Sequence, residues 1–422
     1  MIMRHVVVMV TSSYPRFPGD TVGTFMEPIA RGVAARGHAV HVVAPWHPSI
    51  DRPAQDAGVH FHFYRYAPGG FPHAFGYAGA LKADVRLRAS AVAVAPMAVA
   101  AGIRAARHVA RSANATIMHG HWVVPGGFMG LLARGGRLPL VISLHGSDVY
   151  VAERHRLARW AARAAFTRAA WVTACSTDLR DRAIAIGAAA ERSEVLPYGV
   201  DTARFSPAPE GRSAARERLG HGGPSPIVFT AGRLVRKKGF EYLIEAAARL
   251  APRWPALRVV IAGGGDLDAE LRQRARNAGL AGTVQFLGAV PQSDMPAWLS
   301  AADIVAVPSV RDDEGNVDGL PNVVMEALAS ATPLVSTAAG GIGSVVQHGR
   351  TGLLVPERDA DALAAAIETL LTNEQLREQI GQAARREACE RYTWDRFAER
   401  LEEVFDLAVE RAQRTAKAEG RV

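Results

Sequence analysis

Residues 227-IVFTAGRLVRKKGFEYLIEAAARL-250 contain, in order, a short apolar run, a basic loop and an amphipathic stretch. The apolar run 227–231 is typical of a buried strand, because it is short, rich in β-branched residues and followed by glycine. Beyond Gly239, apolar residues recur at helical spacing and predict one buried helix face, formed by Phe240, Leu243, Ile244 and Ala247. A strand, a loop and a helix in this order indicate an α/β fold.

The same alternation continues on both sides of this segment. We predict strands at 5–10, 39–44, 60–64, 115–119, 140–144, 171–174, 227–231, 258–262, 284–287, 304–307, 334–336 and 352–355. Apolar strands that alternate with helical stretches favour a parallel sheet covered on both faces. The predicted fold class is therefore α/β, with two Rossmann-like, doubly wound parallel-sheet domains.

The length of 422 residues favours two domains over one. We place the first domain at 1–197 and the second at 227–391, because residues 198–226 are rich in Pro, Gly and Ser, as linkers are. The amphipathic segment 392–413 is expected to cross back to the first domain. Ligands are expected at the carboxyl ends of the strands, in a cleft that the two domains face.

Charge is divided unevenly along the chain. Residues 1–200 contain 22 Lys and Arg against 11 Asp and Glu, whereas the remainder contains 27 against 30. A basic half fits a nucleic acid, an anionic membrane surface or a phosphorylated substrate. The arginines are scattered, without a helix-turn-helix or zinc pattern, so we expect no nucleic acid. An anionic leaflet beneath the Ala/Arg-rich region 80–111 and an ordinary basic surface both stay open.

Cysteine usage and hydropathy suggest a cytoplasmic protein. Cys175 and Cys389 form no CxxC or metal-ligand spacing, which is typical of free thiols in a reducing compartment. The apolar run near the start is shorter than a secretory signal. The stretch 89–103 is Ala-rich, is interrupted by Pro96 and is shorter than a membrane span. We therefore expect a cytoplasmic protein, peripheral on the inner face of the membrane if the basic half binds lipid.

The loop 232-GRLVRKKGF-240 stands out for its lysines. The chain has four lysines among its 49 basic residues, and two of them, Lys237 and Lys238, are adjacent here. Lys238 lies five residues after Arg233. Lysine offers a compact ammonium that suits a phosphate oxygen, whereas arginine offers a planar fork. A solvated turn before a helix is the alternative interpretation.

The segment 318-DGLPNVVMEALA-329 places Asp318 eight residues before Glu326. Proline is favoured at the first helical position, so Pro321 predicts a helix start whose free amides can meet an anion. A carboxylate one turn into such a helix suits the two hydroxyls of a ribose. An exposed helical glutamate is the alternative.

Two further clusters follow strands in the first half. Gly23 lies in the loop 18-PGDTVGTF-25, where glycine permits a close backbone approach, and His145 lies in 143-SLHGSD-148. His119 and His121 form an HxH pattern without further ligands at metal spacing, so we expect no metal. In the second half, Asp266 after a glycine run is expected to cap the next helix rather than to bind a dinucleotide or metal.

These motifs together resemble the retaining glycosyltransferases of family 4, which have the GT-B architecture. The resemblance runs over nearly the whole chain, through PGDTVGTF, HGSDV, LPYGVD, GRLVRKKGF, GLPNVVMEALA and TGLLV. Two positions depart from the family pattern, namely Asp318 in place of a glutamate and 340-GGIGS-344 in place of Gly-Gly-Ile-Pro-Glu.

The resemblance implies a role for each of these residues. Arg233 and Lys238 would hold the donor diphosphate, Asp318 would meet the transferred sugar, and His145 would approach that sugar from the first domain. Lys237, the neighbour of Lys238, is expected to point elsewhere. The remaining donor-binding set would be Gly23, Gly319, Leu320, Pro321, Asn322, Val323 and Glu326, with Glu326 on the ribose and the amides of Asn322 and Val323 on phosphate.

The implied reaction moves a sugar from a nucleotide-diphosphate sugar to a hydroxyl of a saccharide or lipid-linked acceptor. It would proceed with retention of configuration and without a metal or other cofactor. Two alternatives stay open, namely a sugar phosphorylase or nucleotide-sugar epimerase on the same fold, and a non-catalytic nucleotide-sugar-binding module. A requirement for phosphate, or donor turnover without acceptor, would favour the first, and failure to hydrolyse the donor would favour the second.

Overall fold

The computed structural model describes residues 4–20, 22–67, 74–77, 81–82, 86–87, 89–136, 138–208 and 210–418. The chain divides into two compact units, of which the first combines residues 1–196 with 394–422 and the second comprises 197–393. Each unit contains a parallel sheet with helices, so the predicted fold class is confirmed.

Each of the predicted strands overlaps a strand of the structure, which adds four short ones among the residues that it describes, at 55–56, 81–82, 86–87 and 193–195. In chain order they are β1 (Val6–Val10), β2 (Ala39–Pro45), β3 (Gln55–Asp56), β4 (Val59–Tyr64), β5 (Leu81–Lys82), β6 (Arg86–Leu87), β7 (Ile117–His121), β8 (Leu140–Leu144), β9 (Trp171–Ala174), β10 (Ser193–Val195), β11 (Ile227–Ala231), β12 (Arg258–Ala262), β13 (Val284–Gly288), β14 (Ile304–Val307), β15 (Leu334–Thr337) and β16 (Leu353–Val355).

Helices connect most of these strands. In chain order they are α1 (Met26–Ala35), α2 (Ala89–Ser112), α3 (Phe128–Ala133), α4 (Ser147–Arg154), α5 (Arg156–Arg168), α6 (Thr177–Ile186), α7 (Gly211–Arg218), α8 (Phe240–Leu250), α9 (Asp268–Asn277), α10 (Met295–Ala301), α11 (Asn322–Ala329), α12 (Ala360–Thr372), α13 (Glu374–Arg391) and α14 (Trp394–Ala418).

The sheet of the first unit has the strand order β10-β9-β8-β7-β1-β2-β4-β3. All its neighbours pair in parallel except β3, which pairs antiparallel with β4. The order reverses between β1 and β7, and their register pairs Val7 with Ile117. Strands β7 and β8 are buried along their full length, as expected for a sheet covered on both faces.

The final helix belongs to the first unit, as the sequence predicts. Helix α14 packs against α1, and several polar contacts join it to the first unit. The Arg36 guanidinium donates to Glu402 at 2.6 Å, and His5 Nε2 lies 2.9 Å from an Asp406 carboxylate oxygen. A helix that follows the second unit in sequence therefore completes the packing of the first.

The sheet of the second unit has the order β13-β12-β11-β14-β15-β16, with all strands parallel. This is the dinucleotide-fold order 3-2-1-4-5-6, in which ligands bind outside the carboxyl ends of the strands where the order reverses. Here the reversal lies between β11 and β14. The loops that follow these two strands are therefore the first place to look for a ligand site.

The core of the second unit includes the helix face that the sequence indicates. Phe240, Leu243, Ile244 and Ala247 of α8 are buried against the sheet. Because each buried aliphatic or aromatic side chain contributes about 1.5–3 kcal/mol, this face anchors the loop that precedes it. That loop carries Lys237 and Lys238.

Three local expectations were wrong. Residues 198–226 are not merely a linker, since they contain α7, pack against α10 and belong to the second unit. Asp266 does not cap α9, whose N-cap is Leu267 and whose first residue is Asp268. Pro96 lies inside α2, which continues to Ser112 because the ring removes only one intrahelical donor.

Helix α2 is consequently longer than the stretch that the sequence predicts. By length and composition alone it is long and apolar enough to cross a membrane, with a mean hydropathy of 1.6 over its most apolar window, of which 33% is buried in the fold. Core helices of soluble proteins meet the same criteria.

Candidate active site

The basic loop after β11 is tightly folded. Arg236–Lys238 form one 3-10 turn, and Gly239 follows with φ +64. A Cβ atom at Gly239 would lie 2.0 Å from the carbonyl oxygen of Pro308, so only glycine permits this approach to the segment after β14. The Val310 amide donates to the Lys237 carbonyl at 2.9 Å and joins the two loops. The chain therefore brings the lysines to the point where the strand order reverses.

Both lysines contact the same carboxylate. Lys237 Nζ lies 2.8 Å from Asp318 Oδ1, and Lys238 Nζ lies 2.6 Å from Oδ2. The three side chains are only 9%, 13% and 13% exposed, respectively. Burial by itself raises the pKa of Asp318, but the two ammonium groups outweigh burial and hold that pKa well below its usual range. Asp318 is therefore ionised at neutral pH.

The expectation that Lys237 points elsewhere was wrong. The two lysines are neighbours in a 3-10 turn, where successive residues differ by about 120°. Their flexible four-carbon stems nevertheless converge on one carboxylate. The third residue of the turn, Arg236, points away and donates to Glu270 at 2.6 Å.

The glycine pair 340–341 holds the backbone beside Asp318. A Cβ atom at Gly340 would lie 1.9 Å from the Asp318 carbonyl oxygen, and one at Gly341 would lie 2.0 Å from the Gly319 carbonyl oxygen. Only glycines allow the loop to pack this closely. The part of 340-GGIGS-344 that agrees with the family pattern thus supports the position of Asp318.

Helix α11 begins directly after this point. Pro321 is its N-cap rather than its first helical residue, and the helix starts at Asn322. Gly319, Leu320 and Pro321 form the approach to the helix, with Leu320 buried. The backbone N–H groups of Asn322 and Val323 belong to the first turn, where helices lack intrahelical partners and favour an anion.

Glu326 lies one turn into α11 and is 7% exposed. Gln292 donates from its side-chain amide to Glu326 Oε1 at 3.0 Å, and Arg204 donates to the carbonyl of Gln292. Burial raises the pKa of Glu326 to about 7, although Gln292 and Arg204 act in the opposite direction. The carboxyl group therefore changes charge near neutral pH.

Arg233 is exposed in the loop after β11, and its carbonyl accepts a hydrogen bond from the Val235 amide at 2.9 Å. The structure thus groups Lys238, Asp318 and the start of α11 at one sheet edge, with Arg233 in the same loop as Lys238. The assignment of Arg233 to a diphosphate stays a prediction.

The first unit brings its two predicted residues to one end of its own sheet. Gly23 has φ +67, and Phe25, two residues on, lies with its ring centroid 4.7 Å from that of His145. His145 Nε2 is 2.9 Å from His121 Nδ1, and the two rings stack. Burial, followed by the neighbouring His119, lowers the pKa of His145 to about 3. His145 is therefore a neutral imidazole at physiological pH.

His119 and His121 are fully buried. His119 Nε2 lies 2.7 Å from Ser143 Oγ, which in turn lies 2.8 Å from Thr173 Oγ1. Among the residues that the structure describes, no group of three or more His, Cys, Asp or Glu side chains is arranged to hold a metal ion. Of the HxH pattern, His121 contacts His145 and His119 contacts Ser143.

Comparison with known proteins identifies the family. Residues 22–204 match the family model "Glycosyltransferase Family 4", and residues 211–387 match "Glycosyl transferases group 1". A GDP-mannose-dependent alpha-(1-6)-phosphatidylinositol monomannoside mannosyltransferase of Mycobacterium tuberculosis is 32% identical over 404 residues, which cover 94% of this chain and 96% of that protein. The chain belongs to glycosyltransferase family 4.

Two further similarities agree with this assignment. A D-inositol 3-phosphate glycosyltransferase of Salinispora arenicola is 38% identical over 231 residues, which cover 52% of this chain and 50% of that protein. The solved structure of a sucrose-phosphate synthase from Thermosynechococcus elongatus has a TM-score of 0.77 at 21% identity and covers 96% of this chain and 98% of its own. At that identity the likeness concerns the fold, which is GT-B.

The protein is thus a glycosyltransferase that uses a nucleotide-sugar donor, as the sequence predicts. Sequence reasoning missed two residues of the second unit, Lys237 and Gln292. The rarity of lysine in this chain was a signal for Lys237, whereas Gln292 lies outside every motif and is revealed only by its contact with Glu326.

Proposed function

We propose that the protein transfers a sugar with retention of configuration, without a metal, from a nucleotide-diphosphate sugar to a hydroxyl of a lipid-linked acceptor. The observation that supports this most is the buried Lys237–Asp318–Lys238 cluster at the start of α11. Two ammonium groups and the backbone amides of the first helical turn suit the charge that develops on a departing diphosphate, and a carboxylate suits sugar hydroxyls.

The proposed step forms and breaks one bond each at the anomeric carbon. The bond from that carbon to the phosphate oxygen breaks, and the acceptor hydroxyl oxygen bonds to the same face. The hydroxyl proton passes to an oxygen of the departing diphosphate. Arg233 and Lys238 would stabilise the diphosphate, Asp318 would bind the transferred sugar, and the amides of Asn322 and Val323 would bind phosphate. The roles of Gly23 and His145 stay predictions.

The acceptor class is inferred from the relatives. The mycobacterial relative acts on a phosphatidylinositol monomannoside with GDP-mannose, and the Salinispora relative is named for inositol 3-phosphate. A phosphorylated, inositol-containing acceptor is an anion, and it matches the net charge of +11 that 22 basic and 11 acidic residues give to positions 1–200. We therefore propose an anionic, lipid-linked acceptor and a hexose donor such as GDP-mannose.

Purified protein with GDP-mannose, UDP-glucose and an inositol-phosphate lipid extract tests this proposal. We expect one of the donors to yield an α-linked product, seen by NMR, at an unchanged rate in EDTA, because two lysines and helix amides supply the positive charge. A β-linked product, or activity lost in EDTA and restored by Mn²⁺ or Mg²⁺, would contradict the retaining or metal-free assignment. Donor turnover that needs inorganic phosphate would favour the phosphorylase.

Glu326 makes the reaction sensitive to pH. Because the pKa of its carboxyl group is raised to about 7, the group is mostly protonated at pH 6 and ionised at pH 8. A ribose diol donates hydrogen bonds to the ionised form, so we expect the donor KM to fall roughly tenfold from pH 6 to pH 8. Initial rates over this range measure it, with Glu326→Gln as the matched variant. The pH dependence of the donor KM should vanish in that variant. A dependence that persists would assign the titration to a group other than Glu326.

We also propose that the first unit binds an anionic membrane leaflet from the cytoplasmic side. Leu157 and Trp160 of α5 are 83% and 64% exposed, and Trp160 stacks edge-on against Phe128 of α3. Helix α3 packs on α2, where Arg107 donates to the Leu132 carbonyl at 2.6 Å. Residues 85–147 and 154–177 contain no Asp or Glu. Exposed aromatic and aliphatic side chains amid arginines suit the interface of an acidic bilayer.

Vesicle binding tests this surface. We expect sedimentation with vesicles that contain acidic phospholipid, and release at high salt, because exposed charges are screened within about 8–10 Å. Trp160→Ser combined with Leu157→Ser should weaken binding, whereas Leu407→Ser on α14, where the side chain is 38% exposed, should not. Equal binding to neutral and acidic vesicles, or none at low salt, would overturn the proposal.

A further inference from the structure

Lys237 is buried, although the resemblance assigns no role to it. Its side chain is 9% exposed and its Nζ lies 2.8 Å from Asp318 Oδ1, while Lys238 takes the other carboxylate oxygen. Burying an ammonium group is costly unless it is paired, so the contact with Asp318 stabilises the buried position of Lys237. A lysine in a solvated turn would need no such ion pair.

The backbone of Lys237 is held as firmly as its side chain. Its carbonyl accepts the Val310 amide at 2.9 Å, and Val310 lies in the segment that leads from β14 to Asp318. The two contacts of Lys237 therefore lie on the same connecting segment. A shift of Lys237 would move both the start of that segment and the carboxylate near its end.

Asp318 has a shorter side chain than the glutamate of the family pattern. Aspartate reaches one methylene less far than glutamate, so its partners must come closer to the backbone, as Lys237 and Lys238 do here. Lys238 would divide its three N–H donors between the departing diphosphate and the carboxylate. Lys237 binds the opposite oxygen, so it can hold the carboxylate while Lys238 meets the diphosphate.

We propose that Lys237 is a positioning residue that holds Asp318 against the transferred sugar and leaves Lys238 to the diphosphate. This inference rests on the proposed function, because it takes from there that Asp318 meets the sugar. In this proposal the two adjacent lysines have different roles. Lys238 stabilises the departing diphosphate directly, whereas Lys237 acts through Asp318.

Lys237→Met tests whether the two lysines have these different roles, because it removes the ammonium charge and keeps the apolar stem. We expect kcat to fall roughly 10- to 100-fold, the scale for losing one hydrogen bond to a charged group, with the donor KM changed by less than about threefold. Without Lys237 only Lys238 opposes the burial that raises the pKa of Asp318, so the acid limb of the kcat profile should move to higher pH. Lys237→Arg should restore part of kcat.

Arg236→Met is the matched control, because it changes the same turn but lies against Glu270 and Glu241. We expect it to leave kcat, KM and the pH profile unchanged. Thermal unfolding of each variant checks the fold, and if Lys237→Met unfolds, the comparison passes to Lys237→Arg, which must then show a reduced kcat.

The outcomes separate this inference from the proposed function. Wild-type kcat and pH profile in folded Lys237→Met, or a defect confined to the donor KM, would overturn the positioning role while the function stands. A wild-type protein that transfers no sugar from any nucleotide sugar would overturn the function and the inference together.

Discussion

Replacing Lys238 with alanine is expected to lower the rate of sugar transfer by roughly 10²–10³-fold, the scale for removing one preorganised donor that stabilises developing charge. Lys238 is 13% exposed, so its ammonium acts where water screens little. The fold should survive, because Asp318 keeps its contact with Lys237 at 2.8 Å. Initial rates at saturating donor and acceptor, together with thermal unfolding, measure the effect.

Two companion variants sharpen this result. Lys238→Arg should recover only part of the rate, because a planar guanidinium does not fit where a compact ammonium lies. Arg236→Ala, in the same turn but paired with Glu270, should leave the rate unchanged. A folded Lys238→Ala variant with the wild-type rate would show that Lys238 does not stabilise the diphosphate. It would favour the alternative of a non-catalytic nucleotide-sugar-binding module.

Asp318→Asn is expected to damage both activity and stability. The amide has nearly the shape of the carboxylate but leaves two buried ammonium groups without a counter-charge, and breaking such a buried pair costs about 3–5 kcal/mol. The transfer rate should fall at least as far as in Lys238→Ala, since the sugar also loses its carboxylate. Denaturant unfolding measures the stability, and initial rates measure the activity.

The pH dependence of unfolding supplies an independent check. The pKa of Asp318 lies below its usual range in the folded protein, so its stabilising effect is fully present above the ordinary pKa of an aspartate and is lost progressively as pH falls from there through the lowered value. The difference in the free energy of unfolding between wild type and Asp318→Asn should therefore narrow in strong acid. A constant difference from pH 7 into the acid range would show that the lysines do not hold the carboxylate.

The fold was largely predictable because its signals are local. Apolar runs such as 227–231 are shorter than most helices and are bounded by glycine, which favours strands, and the face of α8 follows from its spacing. The exceptions depend on tertiary packing. Pro96 stays inside α2, and α7 forms within a stretch whose Pro, Gly and Ser content suggested a linker.

The sequence marks residues that lie near one another in the structure, but it does not specify their contacts. Lys238, Asp318 and Glu326 are marked by motif and spacing, and the structure places them around the loops after β11 and β14. The pairing of Lys237 depends on how a flexible side chain turns, which sequence spacing does not specify. The raised pKa of Glu326 depends on burial, since a helical glutamate can equally well be exposed.

The central claim is that Lys238, which lies beside Asp318, binds a nucleoside diphosphate. Calorimetric titration of UDP and of GDP into wild type, Lys238→Ala and Arg236→Ala tests it most directly. We predict that wild type and Arg236→Ala bind one of the two nucleotides equally well and that Lys238→Ala binds it roughly 10- to 150-fold more weakly, as the loss of a charged hydrogen bond requires. Equal affinity in all three proteins would contradict the account.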